Sequence, residues 1–218
     1  MLNTQLIIID GIPGSGKSTA GQMLEARLAE LYIPHKFYRE LEENHPLCIY
    51  DRQIESLGSY AEATWYQNRV KELFRAFVEN RSKVAEVTII ESWLFQDHLG
   101  VAHCSGMDTA LLEELYGSLT QILAPLNPTV IYYYQVNVEQ NWRRICDLRG
   151  PEFTQGRCGL YTDDDFRQAG ETWTTVRDLS VKIIANWDTP KLIIRNEDYN
   201  WERYNREIFG FLQLDYMV

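Results

Sequence analysis

Positive charge is in short supply in this 218-residue chain. Lys and Arg number 21 against 31 Asp and Glu, for a formal net charge of −10. A nucleic-acid backbone is therefore not expected as the main partner, because such binders present a basic face. Cysteine is sparse too: Cys48, Cys104, Cys146 and Cys158 are scattered, with no C-x-x-C pair. That spacing argues against a structural metal centre and against a disulfide framework. No apolar run is long enough to cross a bilayer, so no membrane partner is expected. The opening Met1-Leu2-Asn3-Thr4-Gln5 carries none of the positive charge of a secretory or transit segment. Internal repeats and low-complexity tracts are lacking as well. These absences lead to the expectation of a cytoplasmic, reduced protein. With 45% hydrophobic residues the chain has the apolar content to bury a sizeable core, and residues 1–218 are expected to form one domain.

What is present is more specific. Gly11-Ile12-Pro13-Gly14-Ser15-Gly16-Lys17-Ser18 fills every fixed position of the pattern G-x-x-x-x-G-K-[ST]. The apolar run Leu6-Ile7-Ile8-Ile9 before it reads as a buried strand. Met23, Leu24, Leu28 and Leu31 after it recur at helical spacing. Strand, glycine loop and helix together are the context the pattern requires; a glycine-rich turn with an exposed lysine would not need it. Glycines let successive backbone N–H groups curl around an anion, and the following helix points its positive N-terminus at the same place. Residues Gly11, Ile12, Pro13, Gly14, Ser15, Gly16, Lys17, Ser18 and Thr19 are thus expected to bind a nucleoside triphosphate. Lys17 should reach the β- and γ-phosphates, and Ser18 should offer its hydroxyl to Mg²⁺.

Strand and helix patterns alternate along the rest of the chain, the signature of a parallel sheet covered on both faces. Strands are expected at residues 34–38, 84–90, 129–134 and 191–195. Helical stripes run through Tyr66, Val70, Leu73, Phe74, Phe77 and Val78, and through Leu111, Leu112, Leu115, Leu119, Ile122 and Leu123 behind a capping Asp108. Asn137-Val138-Glu139-Gln140 reads as a capping box. Residues 150–161 hold three glycines and a proline without a period and read as a mobile connection. Thr162 and Asp165 then open a long helix reaching Trp187, and Trp201, Tyr204, Ile208 and Phe209 mark the closing one. The expected fold is a three-layer α/β/α domain with a five-stranded parallel sheet.

Several side chains are placed to do chemistry on a bound triphosphate. Glu91 ends an apolar strand, where a parallel sheet delivers residues to its ligand crevice, and can support Mg²⁺ through water or bind substrate. Glu40 follows the second strand and can accept the proton of an acceptor hydroxyl; Glu42, Glu43 and His45 compete for that role. Arg39 and Arg52 can bind an anionic substrate or pair with these acids. Arg143, Arg144, Arg149 and Arg157 are the basic concentration of an acidic chain. As a lid spanning about 138–161 they would neutralise a phosphoryl group in transit and exclude water. Among the aromatic residues Tyr60, Trp65, Tyr66, Trp93 and Phe95, core packing is the better expectation except for Trp93, just past Glu91.

These pieces resemble the P-loop kinases of small molecules, in the nucleoside and nucleotide kinase branch. Ile9-Asp10-Gly11 and the loop to Thr19 look like the opening of deoxynucleoside and thymidylate kinases. Tyr38-Arg39-Glu40 and Ile90-Glu91-Ser92 stand where those families place an Arg-Glu or Glu-Pro and an Asp-Arg or Glu-Arg-Ser element. No proline follows Glu40 and no arginine follows Glu91, so neither substrate is assigned. The resemblance implies the P-loop NTPase fold, ATP and Mg²⁺ as cofactors, and transfer of the γ-phosphoryl group to a small-molecule acceptor. Lys17, Glu40, Glu91, Arg144 and Arg149 are the candidate catalytic residues. A homodimer is an open oligomeric alternative. A GTPase is disfavoured because no N-K-x-D element occurs. The rival kept open is a nucleotide-binding ATPase or regulatory protein without kinase activity.

Overall fold

The computed structural model describes residues 3–215. Its elements run β1 (Leu6–Gly11), α1 (Lys17–Glu30), β2 (His35–Tyr38), α2 (Tyr60–Arg81), β3 (Val87–Glu91), α3 (Gly100–Cys104), α4 (Thr109–Leu123), β4 (Pro128–Gln135), α5 (Val138–Arg149), α6 (Asp163–Asn186), β5 (Lys191–Asn196) and α7 (Trp201–Phe211). Two single π-helical turns, Trp93–Leu99 and Glu152–Arg157, lie after β3 and after α5. The five strands form one all-parallel sheet in the order β2-β3-β1-β4-β5.

Strand periodicity explains the layering. In β1 Leu6 and Ile8 join a core cluster with α2, α4 and α6, while Ile7 and Ile9 join α1 and α7 on the opposite face. All of β1 is buried, so it reads as an unbroken apolar run rather than an alternating one. Consecutive Cβ atoms pointing to opposite faces make the sheet the middle of three layers. After β1 the chain passes to α1 on one face; after β3 it passes to the π-helical turn and α3 toward the other. The carboxyl ends of β1 and β3, paired Ile9 to Glu91, therefore border a crevice, the place where such sheets hold ligands.

Four sequence expectations need correction. The third strand begins at Val87 rather than residue 84, since the Val84 carbonyl is engaged by Gln5 Nε2 at 2.8 Å and residues 82–86 turn. Asn137 precedes α5 without a side-chain cap, at φ −103 and ψ 89, and faces a cavity described below. Residues 150–161, read as a mobile connection without a period, carry the π-helical turn Glu152–Arg157. Trp187 is the residue after α6, at ψ 119, not within it. The Thr162–Asp165 capping box is present, with Thr162 Oγ1 accepting from the Asp165 N–H at 3.2 Å.

Candidate functional site

The phosphate loop begins as β1 ends. Gly11 (φ +152), Gly14 (φ +73) and Gly16 (φ +105) take backbone conformations that side chains disfavour. All three are also closed by contact: a Cβ on Gly11 would lie 2.7 Å from the Tyr133 carbonyl oxygen. A Cβ on Gly14 would lie 1.9 Å from Ile145 Cδ1 on α5, and one on Gly16 would lie 2.2 Å from the Trp201 ring on α7. The loop is thus gripped from both sides at positions where only glycine fits. α1 opens at Lys17 with no side-chain cap, which leaves its first N–H groups unclaimed by side chains at the loop.

Lys17 is 4% exposed, and its ammonium donates to the Ile12 carbonyl at 3.1 Å and to Gln96 Oε1 at 2.6 Å. Gln96 is held in turn. The chain leaves β3 through Ser92, in the left-handed region at φ +71, and winds into the π-helical turn. The N–H groups of Leu94, Phe95 and Gln96 all donate to the Asp10 carboxyl, at 3.2, 2.8 and 3.0 Å, and Gly11 N–H joins them at 2.8 Å. Burial nevertheless pushes the Asp10 carboxyl up to about 6, against the pull of Lys17 and these N–H donors. Asp10 therefore staples the strand before the loop to the turn that holds Lys17.

The expected carboxylates converge beside this lysine. Ser18 Oγ donates to Glu91 Oε1, and Glu40 lies near enough for its charge to act on the Glu91 carboxyl. Ser92 Oγ donates to Glu40 Oε2 at 2.7 Å. Burial raises the Glu91 carboxyl above its ordinary range, with Ser18 and Lys17 pulling the other way. Glu42 is engaged by Lys36 at 2.8 Å, and Glu43 is exposed, so Glu40 alone of the three is tied to the Glu91 group. A hydroxyl, a carboxylate and a neighbouring carboxylate are hard oxygen donors. They suit Mg²⁺, which keeps several waters and needs only one or two carboxylates plus phosphate oxygens.

One acid that sequence reading passed over belongs to this neighbourhood. Asp97 is pushed up to about 8 by burial and by the negative fields of Glu40, Asp10 and Glu91, with Lys17 opposing them. Its Oδ2 is buried with no partner, as are His45 Nε2 and Trp93 Nε1. Trp93 lies flat on His45, ring centroids 4.3 Å apart at 10°. His45 Nδ1 accepts the Leu47 N–H at 3.2 Å, and burial lowers this imidazole to about 4, so it is neutral with its hydrogen on Nε2. Tyr66 and Phe95 are core residues, Tyr60 is exposed, and Trp65 lies under the Arg52 guanidinium. Arg39 and Arg52 pair with Glu25 and Glu62 rather than with Glu40 or Glu43.

On the far side of the loop lies a cavity of about 440 Å³. Gln135, Asn137, Arg144 and Tyr199 are among the residues lining it. Arg144 lies over the Tyr199 ring at 3.9 Å. Arg143 also lines the cavity but is paired with Glu139 and Asp163, whereas Arg149 stacks on Phe153 at 4.6 Å, outside the lining.

Solved structures share this architecture. The chain aligns over 98% of its length with 98% of the YorR protein of Bacillus subtilis, crystallised with phosphorylated GDP, at 14% identity and a TM-score of 0.53. It aligns over 99% of its length with 97% of a shikimate kinase from Acinetobacter baumannii, crystallised with shikimate, at 11% identity and a TM-score of 0.51. The fold is that of the P-loop kinases. Identities this low establish the fold alone. No protein-family model and no curated protein matches the sequence. Among the described residues no helix is long and apolar enough to cross a membrane.

Proposed function

We propose that this chain transfers the γ-phosphoryl group of ATP to a hydroxyl of a small-molecule acceptor. The observation that carries the reading is the pair of hydrogen bonds Ser18–Glu91 and Ser92–Glu40 beside Lys17, with the Glu40 charge felt at Glu91. It puts a cation, a hydroxyl–carboxylate pair and a second carboxylate around the mouth of one anion-binding loop. The loop N–H groups and Lys17 hold the phosphates. Ser18 and Glu91 would hold Mg²⁺, which when bound supplies charge neutralisation of the β- and γ-oxygens. Glu40 accepts the proton as the acceptor oxygen forms its bond to the γ-phosphorus and the bond to the β–γ bridging oxygen breaks. Lys17 must leave Gln96 for the phosphate, an exchange of one acceptor for another that costs little. The nucleoside end of ATP then occupies the 440 Å³ cavity, with Arg144 against its base. On this reading Arg149 acts only if the 138–161 segment closes, because Phe153 now holds it.

The acceptor side carries the acids Glu40 and Glu91, with Asp97 holding its proton below about pH 8, while Arg39, Arg52 and Lys36 are each paired with a carboxylate. A phosphate or carboxylate on the acceptor would meet repulsion there, so an uncharged acceptor fits best. The test is Mg·ATP consumption against matched pairs: nucleosides and their 5′-monophosphates, glycerol and glycerol 3-phosphate, shikimate methyl ester and shikimate. ADP release stimulated by an uncharged member and absent from Lys17→Ala supports the reading. Stimulation only by anionic members overturns the acceptor assignment. ATP binding with no stimulated release from any member favours the regulatory alternative.

A further inference from the structure

The phosphate loop is held from behind by amides, and those amides meet at one phenol. Asn141 on α5 donates its Nδ2 to the Pro13 carbonyl at 2.8 Å. Asn196 at the end of β5 donates its Nδ2 to the Ser15 carbonyl at 3.0 Å and to Gln135 Oε1 at 2.9 Å. Both asparagines are fully buried, and Gln135 is 1% exposed. Tyr199 Oη joins the two lines: it accepts from Gln135 Nε2 at 3.3 Å and donates to Asn141 Oδ1 at 3.3 Å. The Tyr199 N–H donates to Asn196 Oδ1, also at 3.3 Å. Tyr199 sits in the left-handed region at φ +52, uncommon for a residue with a bulky side chain. The ring of this same tyrosine lines the 440 Å³ cavity under Arg144.

We propose that Tyr199 is a positioning residue that couples occupation of the cavity to the conformation of the phosphate loop. Its ring meets the ligand at one end, and its hydroxyl bridges the amides that hold Pro13 and Ser15 at the other. The inference rests on the reading that the cavity takes the nucleoside end of ATP. A ligand pressing on the ring steadies the hydroxyl, which steadies both loop carbonyls and therefore the N–H groups between them. The bonds at 3.3 Å are long, so the relay in the free protein has room to tighten. Binding at either end then favours binding at the other, and the two effects are equal by linkage.

The coupling is measured by calorimetry with the two halves of the ligand as separate probes, adenosine and magnesium tripolyphosphate. Saturating adenosine is expected to tighten tripolyphosphate binding by about fivefold in the wild type. In Tyr199→Phe, which keeps the ring and loses the hydroxyl, that factor should fall to about one while adenosine still binds. Arg144→Ala serves as contrast: it weakens adenosine binding itself, whereas Tyr199→Phe weakens the coupling. Unfolding midpoints of both variants check that neither effect reflects loss of the fold. A coupling that survives in Tyr199→Phe, or is absent from the wild type although both probes bind, overturns the proposal. Failure of adenosine to bind the wild type, with ATP and tripolyphosphate binding equally well, removes the nucleoside-site reading and the proposal with it.

Discussion

Gly14 occupies a position that the phosphate-loop pattern leaves open, yet the structure requires glycine there. In Gly14→Ala two penalties combine. Placing alanine in the left-handed region at φ +73 costs about 1–2 kcal/mol. The new Cβ would stand 1.9 Å from Ile145 Cδ1 and 2.2 Å from Cγ1, so the isoleucine must move. Ile145 is 3% exposed, and repacking a buried side chain of this kind costs about 1–3 kcal/mol. The narrower unfolded ensemble of alanine returns about 0.4–1 kcal/mol. The expected loss of stability is about 3 kcal/mol, read by urea unfolding. A double-mutant cycle separates the two terms. Ile145→Ala alone should cost about 2–5 kcal/mol. With the clash removed, the double variant should cost less than the sum by about 1–3 kcal/mol. A single-variant loss below about 0.5 kcal/mol, or additivity within that margin, would refute the claim that α5 packs into the loop at this glycine.

Two further outcomes follow from the acids. Asp97 is raised from 3.8 to about 8 in the fold, so the stability it contributes is complete below about pH 4 and lost as pH rises through 8. Between pH 4 and 6.5 the rise of Asp10 acts in the same direction, while the lowered His45 and His98 oppose both. From pH 6.5 to 8 Asp97 stands alone among these four, and stability should fall by about 1–2 kcal/mol. That slope should vanish in Asp97→Asn, measured by unfolding at each pH; a slope kept in the variant would show that another group causes it. Glu40→Gln should lower acceptor-dependent turnover about 10²- to 10⁴-fold and leave the ATP dissociation constant unchanged. An unaltered turnover would remove Glu40 as the base.

What could be read from the sequence is what rests on local pattern. Leu6–Ile9, the glycine loop and the stripe after Ser18 are contiguous, and they place β1, the loop and α1 correctly. Glu91 was legible because a carboxylate ending an apolar strand has few other reasons to be there. What was not legible depends on partners far apart in the chain. The turn after β3 takes its shape from Asp10, whose carboxyl collects N–H groups 84 to 86 residues away. A lone acid closing a buried apolar strand was the available signal for Asp10. Asp97 had no local signal, since its character comes from burial and three other acids. Tyr199 had none either, because its role arises where β4 and β5 end and α5 begins. The capping reading at Asn137 failed for the same kind of reason: the residue lines the cavity there instead of capping α5.

The central claim is that residues 11–18 hold the phosphates of a nucleoside triphosphate with Lys17 as their buried cation. The most direct test is calorimetric titration of Mg·ATP into the wild type and Lys17→Ala. The account predicts one ATP per chain in the wild type and binding about ten- to a hundredfold weaker in the variant, the worth of a buried charge-assisted hydrogen bond. Equal affinity in the two proteins, or no binding of ATP by the wild type, would contradict it.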